Sequence, residues 1–188
     1  MGCDTGVEKG IIANCTTQPI AGLEVIAYMF NRNAMTITYD TTNPSKITSI
    51  VKAGAELAYE YKGVKNNLNA GHDRVVADDM ADRFTHYIAM KGFEFDAGSV
   101  ENMDGMNDIC VIVEYKQKNA DGDGIFVAYG ISSGLYPSSD TRRAIESNAV
   151  RSIELATLGG QEEKNSQNNI LNTDYATTKT MLEALLTV

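Results

Sequence analysis

The stretch from Asn107 to Leu135 constrains this chain more than any other. It reads Asn-Asp-Ile-Cys-Val-Ile-Val-Glu-Tyr-Lys-Gln-Lys, then Asn-Ala-Asp-Gly-Asp-Gly, then Ile-Phe-Val-Ala-Tyr-Gly-Ile-Ser-Ser-Gly-Leu. The β-branched residues Ile109, Val111, Ile112 and Val113 suit a pleated, largely buried strand, and no polar stripe recurs at helical spacing. Ile125 to Tyr129 has the same character. Asp121-Gly122 and Asp123-Gly124 between them tolerate the positive φ that closes a tight turn. The stretch therefore predicts a central β-hairpin.

Around it the chain reads as short strands. Leu23 to Phe30 is apolar on both alternating sets, which predicts a strand covered on both faces. Met35, Ile37 and Tyr39 alternate with threonines, a half-buried strand ended by Asp40-Thr-Thr-Asn-Pro44. Lys46 to Lys52 and Ala55 to Lys62 suggest a second hairpin around Ala53-Gly54, with Leu57, Tyr59 and Tyr61 on one face. Arg83 to Phe95 reads as a strand with Tyr87, Ala89, Phe93 and Phe95 together. Pro137 to Asp140 reads as a turn, Arg151 to Leu158 as a last strand, and Gly159 to Asn169 as a polar loop.

Two helices interrupt this pattern. Ser99 to Asn107 suits one short helix with Ser99 as N-cap. From Asp174, also an N-cap candidate, the residues Tyr175, Thr178, Met181, Leu182, Leu185 and Leu186 fall at i, i+3, i+4 spacing and predict an amphipathic helix. About eight strands with no βαβ alternation and no fixed repeat favour a mainly β protein, an antiparallel sandwich or barrel with one short helix and a C-terminal helix. The 188 residues, 43% hydrophobic, suffice for one domain with a full core.

Two segments stand out as irregular. Met1 to Gly22 mixes Gly, Thr, Asn and Pro19 and predicts an arm, with one short strand at Gly10 to Ala13. Gly63 to Asp82 is a polar excursion, and loops that long usually have a function. Its apolar centre, Val75, Val76 and Met80, and the pair Ile11 and Ile12 in the arm, are the candidate subunit-interface residues.

Charge narrows the partners. The net charge of −9 argues against a nucleic-acid groove, which needs clustered Lys and Arg, and an acidic surface repels DNA. Cys3, Cys15 and Cys110 are odd in number and lack CxxC spacing, so neither a disulfide framework nor a zinc site is indicated, and Cys110 reads as a core residue. No apolar run reaches the ~20 residues that span a bilayer, and the N-terminus lacks signal-peptide character, so the chain is expected to stay inside the cell that makes it. Met1-Gly2-Cys3 resembles a lipidation start, but Gly6 stands where the myristoylation pattern has Ser or Thr.

Four motifs bear on chemistry. Gly130-Ile-Ser132-Ser-Gly134 matches a G-x-S-x-G elbow after a strand, yet no helix follows and both histidines, His72 and His86, precede the serine. A different chain order can still assemble a triad on another fold. Asn119-x-Asp121-x-Asp123-Gly124 copies half of a calcium loop, but Gly130 stands where the bidentate Glu belongs. His72 and His86 are too distant in sequence to suggest a ligand pair. Arg142, Arg143 and Arg151 lie among Asp140 and Glu146, which suits local salt bridges or subunit contacts. The residues therefore predict no enzyme, no metal and no cofactor.

The succession of the short helix, Ile-Cys-Val-Ile-Val-Glu, the hairpin, Phe-Val-Ala-Tyr-Gly-Ile-Ser-Ser-Gly-Leu, Ser-Ile-Glu-Leu-Ala-Thr, Gln161-Glu162-Glu163 and the closing Asp174-Tyr-Ala-Thr-Thr-Lys-Thr-Met-Leu-Glu-Ala-Leu resembles virion proteins of tailed phages. More narrowly it resembles major tail tube proteins of phages that infect Bacteroidetes, over about half the chain from Ser99 onward. The resemblance implies a sandwich or barrel protomer that forms hexameric rings, stacked into a tube whose acidic lumen conducts DNA without specific binding. It implies a virion location, assembly in the bacterial host cytoplasm, and as partners other copies and other tail proteins, with no membrane. Another tail or head-tail connector protein, or a monomeric β-sandwich binding module using its polar loops, is the alternative.

Overall fold

The computed structural model describes residues 22–56, 58–62, 67–76, 81–92, 97–118, 122–145 and 148–187. Eleven strands and two helices lie among them: β1 (Leu23–Asn31), β2 (Met35–Tyr39), β3 (Lys46–Lys52), β4 (Tyr59–Lys62), β5 (Leu68–Val75), β6 (Arg83–Gly92), α1 (Ala97–Asp104), β7 (Ile109–Lys118), β8 (Gly124–Tyr129), β9 (Tyr136–Ile145), β10 (Asn148–Ala156), β11 (Asn168–Ile170) and α2 (Tyr175–Ala184). They form a seven-stranded sheet, in the order β2-β3-β11-β8-β7-β1-β4, and a four-stranded sheet, β5-β6-β10-β9. All pairings are antiparallel except β11 with β3. The fold is an antiparallel β-sandwich carrying a short helix and a C-terminal helix.

The doubly apolar strands explain the layering. On β1, Ala27 and Met29 face the four-stranded sheet and pack with Val111, Val113, Val127 and Tyr129 against Ile88, Met90, Ile153 and Leu155. The alternate set, Tyr28 and Phe30, joins Ile112, Phe126, Ile47 and Ile50 beneath Leu182 and Leu185 of the C-terminal segment. The seven-stranded sheet is thus buried on both faces, between a second sheet and a helix, so its central strands carry apolar residues at successive positions. Asp174 caps α2, its side chain accepting from the Thr177 N–H at 2.7 Å.

Several expectations are corrected. β3 does not form a hairpin with β4: it pairs with β2 and β11, while β4 pairs with β1. The crossing is fixed by the Ala53 N–H donating to Ala34 and the Ala58 N–H donating to Leu185. The polar excursion of residues 63–82 holds β5, which pairs with β6 along its whole length. The buried face of β6 is His86, Ile88 and Met90, because Tyr87 belongs to the outward face, where it lies over Gly71. A Cβ on Gly71 would stand 2.4 Å from the Tyr87 hydroxyl. Phe93 and Phe95 lie outside the described residues.

Ser99 is inside α1, which begins at Ala97, and therefore is not its N-cap. Pro137 to Asp140 belongs to β9 instead of a turn, and an edge strand tolerates the missing proline N–H. The loop Gly159 to Asn169 ends in β11, two residues earlier than its expected close. The strand expected at Gly10 to Ala13 lies outside the described residues.

Candidate functional site

The polar residues of the interior gather at one end of the sandwich, around the loop Gly130–Gly134. Gly130 and Gly134 have φ of +71° and +75°, and the Gly134 N–H closes the loop onto the Gly130 carbonyl at 3.0 Å. The loop returns the chain from β8 to β9, so Ser132 and Ser133 project their N–H groups away from any ladder partner. Glu163, 1% exposed, supplies the acceptor: its Oε1 takes the N–H of Ser132 at 2.8 Å and of Ser133 at 2.9 Å. Its Oε2 is buried with no hydrogen-bond partner among the described residues. Glu163 is placed there by a two-way backbone exchange with Phe84, at 2.9 Å in each direction.

His86 closes the cluster from β6. Its Nδ1 accepts the Gly130 N–H at 3.2 Å and its Nε2 stands 2.9 Å from the Asn165 carbonyl. Backbone N–H groups only donate and carbonyls only accept, so these partners fix the neutral ring with the proton on Nε2. The ring meets Tyr129 edge-on at 5.2 Å. Burial holds the imidazole below its ordinary range, opposed by the charge of Glu163.

On the outer side, Arg32 grips Asp108 with two bonds, Nε to Oδ1 at 2.7 Å and Nη2 to Oδ2 at 3.1 Å, and reaches the Ser132 carbonyl at 3.3 Å. Asp108 has φ +52°, a conformation that Asp tolerates better than bulkier residues.

This geometry ties down a loop. Ser132 meets the requirement of a glycine-flanked serine after a strand, but the N–H of Ser133, which an elbow would offer to an oxyanion, is held by Glu163. Both nitrogens of His86 are engaged with backbone. His72 and His86, distant in sequence, are direct cross-strand partners, with His72 turned toward Phe84 at 5.6 Å. Asn119 and Asp121 of the half calcium loop lie outside the described residues, and among the described residues no three His, Cys, Asp or Glu side chains are grouped to hold a metal.

Arg151 is buried against Asp140 and Asp104, its Nε donating to Asp140 at 2.9 Å. The local ion pair expected there is present, and the Arg151 hydrogen bond stabilises the ionised Asp140 carboxylate and lowers its pKa. Cys110 is a buried free thiol, pushed up by burial, whose Sγ donates to the Gly130 carbonyl at 3.1 Å.

Of the candidate interface residues, Val75 is 38% and Val76 71% exposed at the end of β5. Met80, Ile11 and Ile12 lie outside the described residues. The outward face of the four-stranded sheet presents Asn69, Gly71 and Asp73 from β5, Thr85, Tyr87, Ala89 and Lys91 from β6, and Ser152 and Glu154 from β10, as the register dictates. A depression on this face is lined by Asn69, Tyr87, Ser138 and Glu154. Sequence reasoning missed Glu163, since a charged run, Gln161-Glu162-Glu163, reads as solvated loop. Its only available signal was its neighbourhood to an apolar strand end.

Comparison with protein families, curated proteins and solved structures finds no match to this chain.

Proposed function

We propose that the chain is a non-enzymatic structural subunit of a phage tail tube, assembling with other copies into stacked, hexameric rings through which DNA passes. The resemblance from Ser99 onward supports this reading. The observation that carries it is the four-stranded sheet. Its two outer strands, β5 and β9, have no further strand partner among the described residues, and both are long, at 8 and 10 residues. Unpaired edges of that length invite pairing with another chain, and closing a ring of such sheets removes them.

The outward face of that sheet suits a lumen. By register it carries the carboxylates Asp73 and Glu154 and the cationic positions Arg83, Lys91 and, on β9, Arg143, among small and polar residues. Cations and carboxylates on this face are near balance, unlike the acidic lumen that the resemblance implies. The exposed pair Val75 and Val76 at the end of β5 supplies apolar surface for the contact with a neighbouring copy that this reading requires. Head-to-tail contacts that do not close along the axis extend rings into a tube.

The test is the mass of the purified chain by sedimentation across a concentration range. A discrete multiple of the protomer, or mass growing without limit, is the expected result. A monomer at every concentration overturns the reading and favours a monomeric binding module.

A further inference from the structure

We propose that His86 and Glu163 form an acid-sensitive latch that holds the Gly130–Gly134 loop closed at neutral pH and releases it when His86 gains a proton. The latch is built from partners of fixed polarity. The Gly130 N–H can only donate, so the Nδ1 that receives it must be unprotonated. The Asn165 carbonyl can only accept, so Nε2 must carry the proton. A second proton on the ring lands on Nδ1, and a protonated Nδ1 faces the Gly130 N–H donor to donor. The Gly130 contact is lost.

The new N–H needs an acceptor inside the protein, because His86 is fully buried. Glu163 is the charge that favours a second proton: its Oε2 is buried with no hydrogen-bond partner among the described residues, while its Oε1 holds the N–H groups of Ser132 and Ser133. The imidazolium therefore draws on the same carboxylate that fastens the loop. One proton removes the Gly130 bond directly and sets a positive charge that draws on the carboxylate anchoring Ser132 and Ser133.

The other groups around His86 do not substitute for this pair. From β5, His72 stands across the strand and opposes a positive ring. From β8, Tyr129 presents its ring edge. From the segment after β10, Thr157 meets only the His86 backbone, its hydroxyl accepting the His86 backbone N–H at 3.2 Å and its own N–H donating to the His86 carbonyl at 3.0 Å. Arg32 and Asp108, beyond the loop, are bound to each other. Burial lowers the His86 pKa, so the closed loop binds fewer protons than the open one below the ordinary histidine value. Closure is complete above about pH 6.5 and weakens as pH falls, with the opening equilibrium rising by up to about tenfold per pH unit.

The experiment is hydrogen exchange on the full chain between pH 7.5 and 4.5, corrected for intrinsic rates. Protection at Gly130, Ser132 and Ser133 should fall by up to about tenfold per unit below pH 6.5, while Val111 and Val113 in β7 keep theirs. His86→Gln, whose carboxamide can accept from Gly130 and donate to Asn165 without titrating, should flatten the profile. Glu163→Gln removes a charge that raises the His86 pKa, so the fall in protection should still begin near pH 6.5 but continue to lower pH. Imidazole nitrogen resonances of the unaltered protein should show Nδ1 gaining its proton over the same interval. Constant loop protection to pH 4.5, equal loss in β7, the same slope in His86→Gln, or loop opening while His86 stays neutral would each overturn the latch.

Discussion

Replacing Gly130 by Ala isolates two costs that the fold imposes at one atom. Gly130 has φ +71°, and placing an L-residue in that region costs roughly 1–2 kcal/mol. The added Cβ would also stand 2.5 Å from Leu135 Cγ and 3.0 Å from the Ile109 carbonyl oxygen. Leu135 is fully buried and Ile109 contributes backbone, so neither yields readily, and overpacking of this kind costs about 1–3 kcal/mol. The sum is roughly 2–5 kcal/mol, a large share of the ~5–15 kcal/mol that holds a domain. With a slope of ~2 kcal/mol per molar, the urea midpoint should fall by about 1–2.5 M.

Two controls separate the terms. Gly122 has φ +88° but nothing within 4 Å of an added Cβ, so Gly122→Ala should lose only the backbone share, about 1–2 kcal/mol. At Gly54, with open space and no positive φ, Ala should be neutral or stabilising by up to ~1 kcal/mol. The reasoning fails if Gly130→Ala costs no more than Gly122→Ala under equilibrium urea denaturation.

Other perturbations test the remaining layers. Leu182→Ala, at a fully buried position of α2, should cost about 2–5 kcal/mol, and Asp174→Ala, which removes the cap on Thr177, about 1 kcal/mol, both read from urea midpoints. Arg151 lowers the Asp140 pKa, so that stabilisation is present above the ordinary aspartate value near ~3.9 and disappears as pH falls through the depressed one. Arg151→Met should accordingly show a shallower loss of stability between pH 4 and pH 2, and an unchanged slope would contradict the ion pair's role. With Cys3 and Cys15 replaced by Ser, the buried Cys110 thiol should react with a thiol reagent only as fast as the fold opens, and prompt reaction of the native protein would refute its burial.

The sequence was legible where periodicity was strong. The hairpin β7–β8 pairs as its β-branched runs predict, β1 is apolar on both sets because a sheet and a helix cover it, and the spacing from Asp174 to Leu186 marks α2. Where burial is one-sided and weak, the signal fades. β5 turns Asn69, Gly71 and Asp73 outward, and its other face joins the apolar Leu68 and Ala70 to His72 and Arg74, so its sequence carries too little apolar alternation to read as a strand. The spacing around Ala53-Gly54 points β3 to the strand after it, whereas β3 pairs with the strand before it and with the parallel β11, which local spacing cannot reveal because it arrives more than a hundred residues later. The loop cluster was half visible: Gly130 to Gly134 announces a special turn, but the carboxylate on its N–H groups comes from Glu163, about thirty residues away in sequence. His72 and His86 likewise meet only because β5 and β6 pair.

The measurement closest to the central claim is electron microscopy of the purified, negatively stained chain. The account predicts rings with a central hole, or tubes of uniform width, whose class averages show a fixed rotational symmetry. Particles of protomer size throughout, at concentrations where neighbouring edges would meet, would contradict it.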